Sequence, residues 1–202
     1  MNHVVQACVL KQTQAYTAIH EFDAKLLINY WLPRAPDASP NAVASSSFIA
    51  PTSRVAQISW DAETNTITPD NCLPGWVHNT KLVAKPDQLI KRRGKAGLLK
   101  LNASWDEARA WIVERAGKPQ RVEAISGILS NFLVEPFCPH APDAEYYVCI
   151  NSAREGDYVL FTHEGGVEVG DVDAKAKKLL IPADPEREFP AREQWTSTLL
   201  GD

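Results

Sequence analysis

No glycine precedes Gly75 in this 202-residue chain, and all ten lie at or beyond it. Glycine lets a backbone N–H approach a ligand closely and lets a loop turn through positive φ, so ligand chemistry is expected in the second and third quarters. Also missing is any C-x-x-C pair or zinc-like His/Cys spacing, since Cys8, Cys72, Cys138 and Cys149 stand apart. A chain of this length buries enough core to need no covalent staples, and reduced thiols are expected. No run of about 18 apolar residues occurs, the length a membrane-spanning helix needs. The opening Met-Asn-His-Val-Val-Gln-Ala-Cys-Val-Leu has neither the cationic head nor the apolar stretch of a secretory signal. These absences lead to the expectation of a soluble, cytoplasmic protein with no membrane partner. Positive charge is not in excess either: 21 Lys and Arg face 25 Asp and Glu, for a net charge of −4. Nucleic acid would be repelled by the molecule as a whole and is not expected as a partner.

Within those limits the chain has clear organisation. Ile19, Phe22, Leu26, Leu27, Tyr30 and Trp31 recur at helical spacing between Glu21, Asp23, Lys25 and Asn29, which predicts a helix within residues 15–32 that Pro33 ends. From Pro33 to about Gly75, Pro, Ser, Ala, Asn and Thr dominate, and a long irregular connection is expected. After Trp76 the pattern becomes regular. A strand runs through Leu82-Val83-Ala84 into Lys85, and Leu98-Leu99-Lys100-Leu101 is a second apolar step. Ser104, three residues before Glu107, reads as a capping box for a helix whose buried face carries Trp105, Ala108, Trp111 and Ile112 and which Gly117 stops. Strands are expected over 131–137, 145–151 and 157–163, the last two joined as a hairpin through Arg154-Glu155-Gly156. The glycine- and acid-rich loop 164–173 reads as a turn shaping its lobe, and residues 190–200 as a short helix. The fold class is α+β.

One stretch points to chemistry. Lys85-Pro-Asp-Gln-Leu-Ile-Lys-Arg-Arg-Gly-Lys95 packs five cations and one carboxylate around Gly94, directly after a strand. Such a run is most often a solvated loop, yet its parts suit a polyanion. Lysine is a compact charge for phosphate oxygens, arginine a planar fork, and glycine an opening for the backbone.

Three long blocks decide between these readings: 85–95, Asn131-Phe-Leu-Val-Glu-Pro-Phe-Cys-Pro-His140, and 145–182 from Glu145-Tyr-Tyr-Val through Gly165-Gly166 to Ile181-Pro182. With them the chain closely resembles the ATP-grasp part of ATP-citrate lyase, also called ATP-citrate synthase, especially the fungal form in which that part belongs to a separate subunit. Ala18-Ile-His-Glu-Phe-Asp-Ala-Lys-Leu-Leu27 is similar to the family's opening helix. The resemblance implies an ATP-grasp-like two-lobed nucleotide-binding fold, incomplete at the C-terminus. Residues 1–17 are unassigned and 18–202 form the ATP-grasp-type region, with 33–76 an irregular insertion or linker, 77–135 the first lobe and 136–202 the start of the second.

The same resemblance implies a transferase that uses ATP, citrate and CoA to make acetyl-CoA, oxaloacetate, ADP and phosphate, supplying acetyl-CoA for lipid synthesis. It places Lys85, Arg93 and Gly94 on the phosphate side of ATP, and Pro136, Cys138 and Glu145 on the adenine and ribose side. Mg2+ ligands, the citrate-binding domain and the phosphorylated histidine are expected outside this chain. It is therefore expected to bind ATP without turnover on its own, with other lyase subunits as partners. The alternative is a non-catalytic partner of full-length lyase or of a related acyl-CoA synthetase. His140 and His163 are read as structural or solvated, Cys138 as a small apolar residue, and Glu135 has no assigned role.

Overall fold

A computed structural model describes residues 19–31, 54–90, 93–122, 125–166, 172–184 and 190–200. Internal contacts divide the chain into two compact units, one of them Thr17–Cys138 and the other taking in Pro139–Asp202.

The first unit opens with helix α1 (Glu21–Trp31). Strand β1 (Ala56–Asp61) and the two-residue β2 (Thr66–Ile67) follow, joined by a turn that Asp61 holds by accepting from the backbone N–H groups of Glu63 and Thr64 at 2.8 and 3.3 Å. After β3 (Leu82–Pro86) and β4 (Lys100–Ala103) comes helix α2 (Trp105–Arg115). A hairpin of β5 (Pro119–Val122) and β6 (Ile125–Ile128) leads to β7 (Asn131–Pro136). One antiparallel sheet of order β2-β1-β7-β3-β4 results, with β7 as its centre.

The alternation of the strands sorts this sheet into two faces. Leu82, Ala84 and Pro86 of β3 are buried while Val83 and Lys85 are half-buried. Leu82 and Ala84 join Ile58, Phe132 and Val134 and the buried side of α2, namely Trp105, Ala108, Trp111 and Ile112, in one core. Both arms of the predicted capping box start α2. The Glu107 N–H donates to Ser104 Oγ at 3.3 Å, and the Ser104 N–H to Glu107 Oε2 at 2.7 Å. Gly117 stops the chain beyond α2 at φ 72°, where a Cβ would come within 2.4 Å of the Trp60 ring. The opposite face of β3 is the one that carries Lys85.

Part of the stretch expected to be irregular is sheet instead. Ala56 and Ile58 are buried and Trp60 is partly buried, with exposed Gln57 and Ser59 between them, and β1 pairs with β7 from Ala56 opposite Val134 to Ser59 opposite Asn131. A period-two alternation outweighs the polar composition here, because burying Ile58 against Phe132 is worth more than the weak β-propensity of Gln and Ser costs. Residues 32–53 lie outside the described residues, as do 1–18. Helix α1 occupies 21–31 of its expected range, yet none of its residues is buried.

The second unit is a three-stranded antiparallel sheet, β10-β9-β8, built from β8 (Tyr147–Ser152), β9 (Gly156–Thr162) and β10 (Lys177–Pro182). The predicted hairpin through Gly156 is present. Val159 and Leu179 pack against Leu199, with Val148, Phe161, Ile181 and Trp195 around them. Leu199 belongs to the predicted C-terminal helical segment, Arg192–Trp195 continued by a wider turn over Thr196–Leu200. Of the acidic loop, residues 167–171 lie outside the described residues.

Candidate nucleotide site

The side chains of Lys85 and Arg93 meet on one carboxylate. Lys85 Nζ lies 2.6 Å from Glu21 Oε1, and Arg93 Nη2 lies 2.6 Å from Glu21 Oε2. Arg93 also donates through Nη1 to the Pro86 carbonyl at 2.7 Å, which folds the basic loop back over the end of β3. Gly94 sits in the turn 93–97, where its carbonyl accepts from the Gly97 N–H at 3.1 Å.

Two residues without a sequence assignment complete the cluster. Glu135 lies diagonally across from Lys85, because Lys85 pairs with Leu133 and Val83 with Glu135, and a diagonal separation on one face is within reach of long side chains. Its Oε1 accepts from Lys85 Nζ at 2.7 Å, and its other oxygen pairs with Lys25 of α1. Lys25 Nζ in turn reaches Glu21 Oε1 at 2.9 Å. Lys85, Glu21, Lys25 and Glu135 therefore form a closed ring of alternating charge, with Arg93 attached at Glu21. Three cations against two carboxylates leave one net positive charge.

The ring sits where water is scarce: side-chain exposure is 12% for Lys85, 16% for Glu135 and 17% for Lys25. Burial alone would raise the carboxyl pKa of Glu21, but Lys85, Lys25 and Arg93 outweigh it and hold that group far below the usual carboxylate range. Burial likewise opposes ionisation of Glu135, and Lys85 and Lys25 again win, holding it down. Lys25 shows the mirror image: burial disfavours its charge, while Glu135 and Glu21 raise its pKa.

Asp87, inside the basic run, anchors α1 to this arrangement. It is 1% exposed, and its carboxylate accepts from the first-turn N–H groups of Glu21 at 2.9 Å and Phe22 at 3.4 Å. Those N–H groups have no partner within the helix, so Asp87, the residue after β3, does what a local N-cap residue does. His20 Nδ1 contacts the Asp87 carbonyl at 2.5 Å. Burial pushes the Asp87 carboxyl up, against the downward pull of the two amides and His20.

The remaining expected site residues are placed as follows. Pro136 ends β7 opposite Leu82, and the Phe137 N–H donates to the Lys81 carbonyl at 2.7 Å, which carries the chain to Cys138. The division between the two units falls immediately after Cys138. Glu145 belongs to the second unit, just before β8, where its Oε1 contacts His140 Nε2 at 2.7 Å and its carbonyl accepts from the Gly165 N–H at 2.9 Å. A Cβ on Gly166, at φ 97°, would sit 2.5 Å from Glu145 Oε2. The Gly165-Gly166 pair thus serves close packing on Glu145, and His140 is its partner. The structure brings Lys85 and Arg93 together in one cluster and gives Glu145 a separate setting.

Sequence reasoning missed Glu21, Lys25, Asp87 and Glu135 as site residues. The i, i+4 spacing of Glu21 and Lys25 was a signal, but it reads equally as a solvated helix pair.

Comparison with known proteins gives concordant results. The family model for the ATP-citrate synthase ATP-grasp domain matches residues 15–202. The fission yeast protein "Probable ATP-citrate synthase subunit 2" is 52% identical over 200 residues, covering 92% of this chain and 40% of that protein. Human ATP-citrate synthase is 57% identical over 109 residues, 54% of this chain and 10% of that protein. The chain thus spans two fifths or less of these relatives. Among solved structures, ATP citrate lyase from Methanothrix soehngenii in complex with citrate and coenzyme A aligns with a TM-score of 0.63 at 35% identity, over 83% of this chain and 35% of that one.

Proposed function

The chain belongs to the ATP-citrate synthase ATP-grasp family, and on that premise we propose that it supplies the ATP-holding part of ATP-citrate lyase. In this reading Lys85 and Arg93 take the phosphates, and Gly94 lets the backbone of the basic loop approach them. Pro136 and Cys138 present main-chain groups to the adenine edge, and Glu145 accepts from the ribose hydroxyls. ATP supplies the phosphoryl group when bound, and the residues of this chain bind and orient it. Cytoplasmic location and association with other lyase subunits belong to the same proposal.

The observation that supports it most is the convergence of Lys85 and Arg93, eight positions apart, on the single carboxylate of Glu21. The pair is already gathered and partly desolvated, which lowers the cost of ordering side chains around an anion. One net positive charge from three cations and two carboxylates neutralises a triphosphate only in part. Phosphoryl transfer depends on charge stabilisation, so the chain by itself is proposed to bind ATP without turning it over. Among the described residues, no group of three or more His, Cys, Asp and Glu side chains is placed to hold a metal ion. The magnesium ligands are proposed to lie outside this chain.

A ligand that binds only the folded state stabilises it by about 2.7 kcal/mol at a concentration 100 times its Kd. ATP is expected to raise the melting temperature of the chain, and the double variant Lys85→Ala/Arg93→Ala is expected to lose that rise. A variant that keeps the full shift would reject these two assignments.

A further inference from the structure

Glu135 and Lys25 have no role in the nucleotide site proposed above, yet they form half of the ring that holds its lysine. We propose that Glu135 and Lys25 are positioning residues for ATP, fixing the ammonium of Lys85 for phosphate while touching no part of the nucleotide themselves. This rests on the reading of Lys85 as a phosphate ligand.

An ammonium has three donors, and two on Lys85 are spent on Glu21 Oε1 at 2.6 Å and Glu135 Oε1 at 2.7 Å. These bonds fix the direction of the third. The second oxygen of Glu135 is tied to Lys25, which also reaches Glu21 at 2.9 Å, so Glu135 is held from both sides. Lys25 stands one turn along α1 from Glu21, and Asp87 binds the first turn of that helix to the end of β3. Each member of the ring therefore constrains the others, and a side chain with four rotatable bonds is confined before the anion arrives. Confinement of this kind favours binding by removing an entropy cost, not by adding a contact.

Two other accounts of the ring make different predictions. If the carboxylates simply competed with phosphate for Lys85, removing one would strengthen binding. If net charge alone mattered, Glu135→Gln would strengthen ATP binding and Lys25→Gln would weaken it. Positioning predicts that both weaken it.

The test is equilibrium titration of the full chain with ATP, with thermal melts confirming that each variant is folded. Glu135→Gln and Lys25→Gln are each expected to weaken ATP binding about tenfold, roughly one good charged hydrogen bond. Combined with Lys85→Met, neither should weaken it further, because the lysine they position is gone. Tighter or unchanged binding by Glu135→Gln would overturn the proposal. Breaking a buried pair can itself unfold a protein, and the charge-balanced Lys25→Gln/Glu135→Gln variant covers that outcome. Positioning predicts weakened binding by it, whereas wild-type affinity would overturn the proposal. A Lys85→Met variant that binds ATP normally would instead overturn the parent assignment of Lys85.

Discussion

Glu21 carries more of the site than any other single residue, since it accepts from Lys85, Lys25 and Arg93 together. Its carboxyl and that of Glu135 are held below the usual range in the folded protein. A carboxyl group whose pKa falls on folding contributes stability that is fully present above its unfolded value, about 4.3 for Glu, and that is lost as pH falls toward the folded value. Asp87 acts in the opposite sense, because burial raises its pKa and acid relieves its penalty. The contribution of Glu21 and Glu135 to the melting temperature should therefore be flat from pH 8 to about pH 5 and fall below that. In Glu21→Gln/Glu135→Gln the acid-side fall should be visibly shallower. Melts followed by circular dichroism across pH 3–8 decide the matter, and parallel profiles for the two proteins would contradict the ring as drawn.

Strand β1 is the element on which sequence and structure part. Its Ile58 is fully buried and pairs with Phe132 of the central strand. Ile58→Ala should therefore cost about 2–5 kcal/mol, the usual range for emptying a core position. Denaturant unfolding measures this directly, and a cost near zero would mean that the segment is a surface connection after all. The helix α2 was legible to its caps, because Ser104, Glu107 and Gly117 each encode a local geometry that needs no tertiary partner. Strands β3, β7, β8 and β9 were legible because their apolar runs are strong. In β1, Ala56, Ile58 and Trp60 do alternate with polar residues, but the surrounding Pro, Ser and Thr hid a six-residue signal. The hairpin β5–β6 likewise offers only short, mixed segments. For the site, the basic loop announced itself through composition. Its counter-charges could not, because Glu21 and Glu135 lie 64 and 50 positions from Lys85 and only the pairing of β3 with β7 and the docking of α1 bring them there.

At the level of the whole molecule, the basic cluster and Glu145 belong to different compact units. Lys85, Arg93, Pro136 and Cys138 lie in Thr17–Cys138, and Glu145 lies in the unit that takes in Pro139–Asp202. No helix among the described residues is long and apolar enough to cross a membrane. The central claim is that this chain grips a triphosphate through Lys85 and Arg93, and isothermal titration with ATP reaches it most directly. One saturable site is predicted, weakened by about 3 kcal/mol or more when both residues become alanine, at the lower bound for two charged hydrogen bonds. A folded wild-type chain that takes up no ATP, or a double variant that binds it equally well, would contradict the account.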